Sequence, residues 1–193
     1  LDSTNVCQPI LTGITTIGLD HVALLGNTLE AIAEQKAGII KQGIPLVTGR
    51  IAPEALAVID RIAEGKDVPR LAYGANYQVR HKESVVTGEV FDYTSAVRQD
   101  RFQTGLLGLH QIENAGMAIA LFDAVCQEDG RELASNHLLA QTLEETRWPG
   151  RLEVVSRDPL MILDGAHNPH AIKALLATLQ ERFADYHKEI LFT

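Results

Sequence analysis

The apolar run Leu160-Met161-Ile162-Leu163 ends on a carboxylate, Asp164, and Gly165, Ala166, His167, Asn168 and Pro169 follow at once. A short apolar run bounded by turn residues reads as a buried strand. Glycine permits a tight turn. Asparagine followed by proline suits the cap and first turn of a helix. The step from strand through turn to helix is the building unit of an α/β fold. It aims Asp164, His167 and the free N–H groups of the helix start into one crevice beyond the strand. An ordinary turn built from good turn residues has the same local pattern, so these six residues leave both readings open.

The same step recurs along the chain. Residues 10–17 are rich in β-branched side chains and predict a strand. A helix follows, with Asn27 as its cap, Glu30 three residues on, and Leu29, Ile32, Ala33, Lys36 and Ile40 on one face. Residues 45–48 predict a short strand, and a helix opens near Pro53 and runs to about Glu64. Short β-like pieces fill 71–73, 77–81, 84–87 and 89–93, with a further extended piece at 105–109. Helices are expected over 112–126 and from Ser135 to about Glu145. Trp148-Pro149-Gly150 breaks the pattern and marks a domain boundary, giving units 1–147 and 148–193. Beyond it come strands at 152–155 and 160–163, a helix over 169–183 and a strand at 190–192. This order favours parallel pairing in both halves.

Composition narrows the function. With 17 basic and 25 acidic residues the formal charge is −8, and aromatics make up 5%. That argues against an extended nucleic-acid face, a base-stacking platform or an anionic-membrane surface, while leaving room for a local phosphate site. Cys7 and Cys126 form no C-x-x-C pair, so neither a thiolate zinc site nor a disulfide framework is expected, and a reducing cytoplasm fits. No apolar run reaches transmembrane length, and both ends read as cut from a longer chain.

Several residues stand out as chemistry-bearing. Lys36 falls on the apolar stripe of its helix, where an ammonium either snorkels to water or, if buried, has a lowered pKa and can act as a nucleophile or take up CO2 as a carbamate. His21 follows a strand and precedes a helix, a place for a ligand or for a structural histidine. Arg151 follows the break at 148–150, where a guanidinium either clamps phosphate between domains or merely faces solvent. Asn114 sits near a helix start, able to bond a base or to help cap the helix. The chain contains no G-x-x-x-x-G-K-[ST] loop, no G-x-S-x-G elbow and no H-E-x-x-H.

Taken in order, the motifs resemble folylpolyglutamate synthase and dihydrofolate synthase of the Mur ligase superfamily. The stretches are Leu1-Asp2-Ser3-Thr4-Asn5-Val6, Ile17-Gly18-Leu19-Asp20-His21, Leu25-Gly26-Asn27-Thr28-Leu29, Gln35-Lys36-Ala37-Gly38-Ile39-Ile40-Lys41, His110-Gln111-Ile112-Glu113-Asn114-Ala115, Trp148-Pro149-Gly150-Arg151-Leu152-Glu153 and Leu163-Asp164-Gly165-Ala166-His167-Asn168-Pro169. They are collinear and span nearly the whole chain; residues 50–105 match only loosely.

The resemblance implies an α/β fold: the C-terminal part of a central ATPase domain, followed by the start of a Rossmann-like C-terminal domain. It implies ATP and Mg2+ as cofactors, folate or dihydropteroate and L-glutamate as substrates, and a cytoplasmic monomer with no nucleic-acid or membrane partner. His21 would be a Mg2+ ligand and Lys36 the carbamylated lysine, its anion orienting metal-bound water. Asn114, Arg151 and Asp164 would contact the base, phosphate and ribose of ATP. His167 would sit beside the nucleotide, and Leu1, Asp2 and Ser3 would hold the pteridine-bearing substrate. The implied reaction is ATP-dependent glutamate addition to folate through an acyl phosphate. The alternatives are dihydrofolate synthase and a nucleotide-binding module without activity. The family's phosphate-binding loop would precede Leu1.

Overall fold

A computed structural model describes residues 3–19 and 25–191 of the chain. His21, Leu1 and Asp2, all expected site residues, lie outside the described residues, as do the side chain of Ser3 and residue Phe192.

The first sheet is parallel, in the order β1 (Thr12–Ile14), β2 (Leu46–Thr48), β3 (Arg70–Ala72). Helices α1 (Leu29–Lys36) and α2 (Pro53–Gly65) supply the crossovers that parallel pairing demands. The central strand β2 is buried on both faces, and its two-residue period divides the core. Leu46 packs with Ile32, Ala33, Ile59 and Ala63 under α1 and α2. Val47 packs on the opposite side with Tyr77, Phe91 and Ile112.

That second layer is α3 (Leu109–Glu128), sandwiched between the parallel sheet and an antiparallel one. The antiparallel sheet holds β4 (Tyr77–Val85), β5 (Gly88–Ser95) and β6 (Gln99–Thr104) in sequence order. Strand β5 alternates cleanly: Glu89, Phe91 and Tyr93 point inward. Helix α4 (Asn136–Glu145), capped by Ser135, runs along β6. The chain then passes Trp148-Pro149-Gly150 into a hairpin of β7 (Glu153–Arg157) and β8 (Leu160–Leu163), and closes with α5 (Pro169–Arg182). No described helix is long and apolar enough to cross a membrane.

The α/β class holds, with several corrections. Strand β1 covers three residues rather than 10–17, because β2, its one neighbour among the described residues, offers three to pair with. The cap of α1 is Thr28, whose Oγ1 accepts the Ala31 N–H at 3.2 Å, so Asn27 and Glu30 form no capping box. Residues 77–85 are one bulged strand instead of two. The extended piece expected at 105–109 is a loop into α3, and β6 was not foreseen. β7 and β8 pair antiparallel, since a short turn joins them and no crossover intervenes. Residues 190–191 are not a strand.

Candidate functional site

Asp164 is held by its own loop. Its Oδ2 accepts the Leu152 N–H at 2.9 Å and its Oδ1 accepts the Ala166 N–H at 2.8 Å. The Gly165 N–H donates to the Gly150 carbonyl at 2.8 Å. These bonds lace the start of the hairpin to its end. Leu152, 3% exposed, has a φ of +46°, a left-handed conformation that a leucine keeps only when its surroundings hold it there. Arg151 is exposed and lies across Gly165; a Cβ at that position would come within 2.5 Å of the guanidinium. His167 is exposed, with Nδ1 2.8 Å from the Gly165 carbonyl, which fixes Nδ1 as the protonated nitrogen and turns Nε2 outward as an acceptor when the ring is neutral. Asn168 caps α5 by accepting the Ala171 N–H at 2.8 Å, as its place in the sequence predicts.

This turn faces the start of α3. His110 is half-buried in the first turn of that helix. Burial pushes its imidazole below its ordinary pKa; His170 and Arg151 act in the same sense, against Asp164 and Glu89. His110 was legible only as part of a motif, yet it stands within electrostatic reach of both Arg151 and Asp164. Asn114 lies four residues on, over the same face of the helix. Because α3 begins at Leu109, Asn114 is in the second turn and caps nothing. It is exposed and donates to Gln111 Oε1 at 2.9 Å. The loop after β1 also arrives here: a Cβ on Gly18 would come within 3.1 Å of the His170 ring on α5. That places Gly18 beside the same helix start.

Lys36 stands elsewhere. It is the last residue of α1 and is exposed, so of the two readings its spacing left open the ammonium reaches water, and the inward-facing position that the family resemblance implied is not found. The helix tightens into a single 3-10 turn at Ala37–Ile39, and Ile32, Ala33, Ala37 and Ile40 carry the buried stripe past it. The 3-10 turn Ser3–Val6 adjoins it: the Asn5 side chain donates to the Gly38 carbonyl at 3.0 Å and Lys41 Nζ donates to the Asn5 carbonyl at 3.0 Å. The expected residues therefore fall into two groups. One is Arg151, Asp164 and His167 with His110 and Asn114. The other is Lys36 with the segment of Ser3. No hydrogen bond or ion pair between described residues links the two groups.

A cavity of about 330 Å³ opens at the junction, lined by Arg147, Trp148, Arg151 and Arg157 together with Leu106 and Leu107. A larger one, about 410 Å³, lies between the β3–β4 turn and the second half of α3 and holds none of the expected residues. The junction cavity carries three guanidinium groups against one carboxylate, Glu153, a balance that suits a polyanion. Among the described residues no three His, Cys, Asp or Glu side chains gather into a metal cage.

The family profile described as "Mur ligase, glutamate ligase domain" matches residues 150–192. The dihydrofolate synthase/folylpolyglutamate synthase of Bacillus subtilis is 40% identical over 193 residues, covering 100% of this chain and 45% of that protein. The folylpolyglutamate synthase of Lacticaseibacillus casei is 36% identical, over 95% of this chain and 43% of that protein. A solved structure titled "FPGS-AMPPCP-folate complex" superposes with a TM-score of 0.88 at 36% identity, over 93% of this chain and 44% of that one. The chain thus spans just under half the length of the relatives it matches. The agreement in sequence and in fold runs along nearly the whole chain, and over that span the chain is similar to folylpolyglutamate synthases and dihydrofolate synthases, with a Mur ligase domain match at its end.

Proposed function

We propose that these 193 residues supply part of an ATP-dependent ligase that joins glutamate to a folate through an acyl phosphate. Residues 1–147 would belong to its ATP-binding domain and 148–193 to its glutamate-ligase domain. The observation that carries this reading is the laced turn at Gly150–Leu152 and Asp164–Ala166, set against the start of α3. It gathers Arg151, Asp164, His167 and His110 where the two proposed domains meet. The beginning of the family match at residue 150 supports the boundary at 148.

In this reading Arg151, flanked by Arg147 and Arg157, offsets the charge of the transferring phosphoryl group. Asp164 orients the ribose from a carboxylate already fixed by two backbone N–H groups, and Asn114 meets the base. His167 offers Nε2 beside the nucleotide. Closure over the junction excludes water, which would otherwise hydrolyse the acyl phosphate before the glutamate amine arrives. Lys36 would carry the carbamate whose anion orients metal-bound water, and the segment Leu1-Asp2-Ser3 would hold the pteridine-bearing substrate. Mg2+ is the metal the family implies, with His21 as ligand; the described residues do not by themselves form its cage, and no step here depends on it. The missing G-x-x-x-x-G-K-[ST] loop must come from outside these residues, which also keeps an inactive nucleotide-binding module as the second reading.

The test is a coupled assay on a ligase that contains this chain, with tetrahydrofolate and dihydropteroate offered in parallel. The expected result is glutamate-dependent ADP release with an amide product of the mass of one added glutamate. Ligation of a UDP-sugar peptide instead would refute the folate reading. Robust turnover by the 193 residues alone would refute the need for an outside loop.

A further inference from the structure

Glu89 is fully buried, at 0% exposure, on the inward face of β5 beside Phe91 and Tyr93. A carboxylate in that position persists only if it is paired. Its partners come from three separate places. Ser84 Oγ donates to Oε2 at 2.5 Å from the neighbouring strand, and the Gly108 N–H donates to Oε1 at 2.8 Å from the cap of α3. Arg182 Nη1 donates to Oε1 at 2.8 Å from the last turn of α5. His81 Nε2 stands 3.7 Å from Oε2. Arg182, its side chain 11% exposed, also donates to the Gly88 carbonyl at 3.2 Å and to the Val85 carbonyl.

One turn earlier on α5, Thr178 presses on the same point. It is 3% exposed, and a Cβ on Gly108 would come within 2.7 Å of its Oγ1. Gly108 has a φ of +104°, so glycine is needed there both for the backbone and for the close approach. Glu89 therefore fixes the Gly108 N–H while Thr178 covers its Cα. Gly108 is the residue from which α3 starts, with His110 in the first turn and Asn114 one turn on. At its other end α5 grows directly out of the Asp164–His167 turn. A single helix thus spans from that turn to the Glu89 carboxylate.

We propose that Glu89 and Arg182 are positioning residues: a clasp that seats α5 against the start of α3 and so sets the spacing between Asp164 and His167 on one side and His110 and Asn114 on the other. This inference rests on the nucleotide reading of that site. An ion pair that only stabilised the fold would lower the melting temperature and leave nucleotide affinity in the folded fraction unchanged.

The experiment has two arms. Hydrogen exchange is measured on the 193-residue chain, unsubstituted and as Arg182→Gln, Arg182→Lys and Glu89→Gln. The expected result is exchange at residues 105–114 about tenfold faster in Arg182→Gln, with β1 to β3 unchanged and partial recovery in Arg182→Lys. In a ligase containing the chain, Arg182→Gln should raise the KM for ATP about fivefold or more and leave kcat at saturating ATP within about twofold. Unchanged exchange at 105–114, or a uniform rise along the whole chain, overturns the clasp. Faster exchange with an unchanged ATP KM overturns its role in the site. Should Arg182→Gln not fold, Arg182→Lys and Glu89→Gln carry the same comparison. If the unsubstituted ligase uses no ATP, the proposed function fails, and the exchange arm still decides whether the clasp exists.

Discussion

Asp164→Asn should unfold this chain's junction before it reveals anything about nucleotide binding. Asparagine preserves size, but it replaces one acceptor oxygen with an amide NH2. In the folded protein both Asp164 oxygens accept backbone N–H groups, from Leu152 at 2.9 Å and Ala166 at 2.8 Å. Whichever way the amide turns, a donor meets a donor. The substitution loses one charge-assisted hydrogen bond, about 1.5–3 kcal/mol, and leaves a backbone N–H short of a partner, about 1–3 kcal/mol, terms that overlap. If the NH2 faces Leu152, the abandoned N–H belongs to a residue 3% exposed and held at a φ of +46°, so the left-handed turn loses its clamp as well. A net loss of about 2–4 kcal/mol follows, and at about 2–4 °C per kcal/mol for a chain of this size the melting temperature falls by about 4–16 °C. Circular dichroism melts and urea titration of the purified variant measure it, alongside Asp164→Ala, which should lose as much. A residue whose sole task is to bond a ribose would instead leave the melt untouched and weaken ATP alone. An Asp164→Asn melt within about 1 °C of the parent, a loss of no more than about 0.5 kcal/mol, would show that the backbone bonds are not what fix this carboxylate.

Lys36→Ala is exposed and unpaired by hydrogen bonds among the described residues, so stability should change by less than about 0.5 kcal/mol. In a ligase containing the chain, turnover should nonetheless drop sharply and recover in part with a small carboxylate; unchanged turnover would refute the carbamate role. Asp123→Ala strands Arg98, whose side chain is 4% exposed and bonded to Asp123 at 2.7 and 2.9 Å, and should cost about 3–5 kcal/mol in urea unfolding. Replacing both, Arg98→Met with Asp123→Leu, should restore most of that. His110→Asn tests a pH effect. Burial depresses the imidazole pKa, so the fold keeps its full stability above the ordinary value of 6.5, where His110 is neutral in both states. As pH falls below that value the unfolded chain takes up a proton before the folded one, and stability declines until the folded pKa is passed. Melting curves from pH 7.5 to 5, roughly the span over which an imidazole titrates, should show a smaller acid loss in His110→Asn; equal slopes would refute it.

The parts of the fold legible in the sequence are those whose signal is local. Pro53, Ser135 and Asn168-Pro169 each mark a helix start through the few backbone groups nearest them, and the structure begins α2, α4 and α5 there. The eight β-branched-rich residues at 10–17 could not declare that β2 would offer only three partners, because ladder length belongs to the neighbour. β6, Gln99–Thr104, carries Gln, Asp and Arg at exposed positions and buries Phe102 and Thr104 alone, so its period is too thin to read; it exists because β5 has a free edge. In the site, the turn at Asp164 was legible since its geometry is made by adjacent residues. The seat of Glu89 was not, although a carboxylate in register with Phe91 and Tyr93 is itself the warning sign of a buried charge in need of a partner. That partner lies 93 residues away.

Arg151, Asp164 and His167 stand on the segment running from the β7–β8 hairpin into α5, while His110 and Asn114 stand on α3 and Lys36 ends α1. Asn5 and Lys41 tie the 3-10 turn Ser3–Val6 to the residues that follow α1. Arg151, Asp164 and His167 are carried by the hairpin and α5, joined to the rest by the connector at 148–150 and by packing. The proposed reaction, which joins an acid to an amine at the expense of a nucleotide, needs Asp164 and His167 seated at a defined height over His110 and Asn114. Packing of α5 through Thr178 holds the helix close to Gly108, but burial as such is non-directional and names no partner. A buried ion pair with Arg182 bonded to Glu89 and to two carbonyls is directional, and tolerates little displacement before a charge is left unpaired. In the proposed clasp the spacing of Asp164 and His167 from His110 and Asn114 is therefore set at the far end of α5.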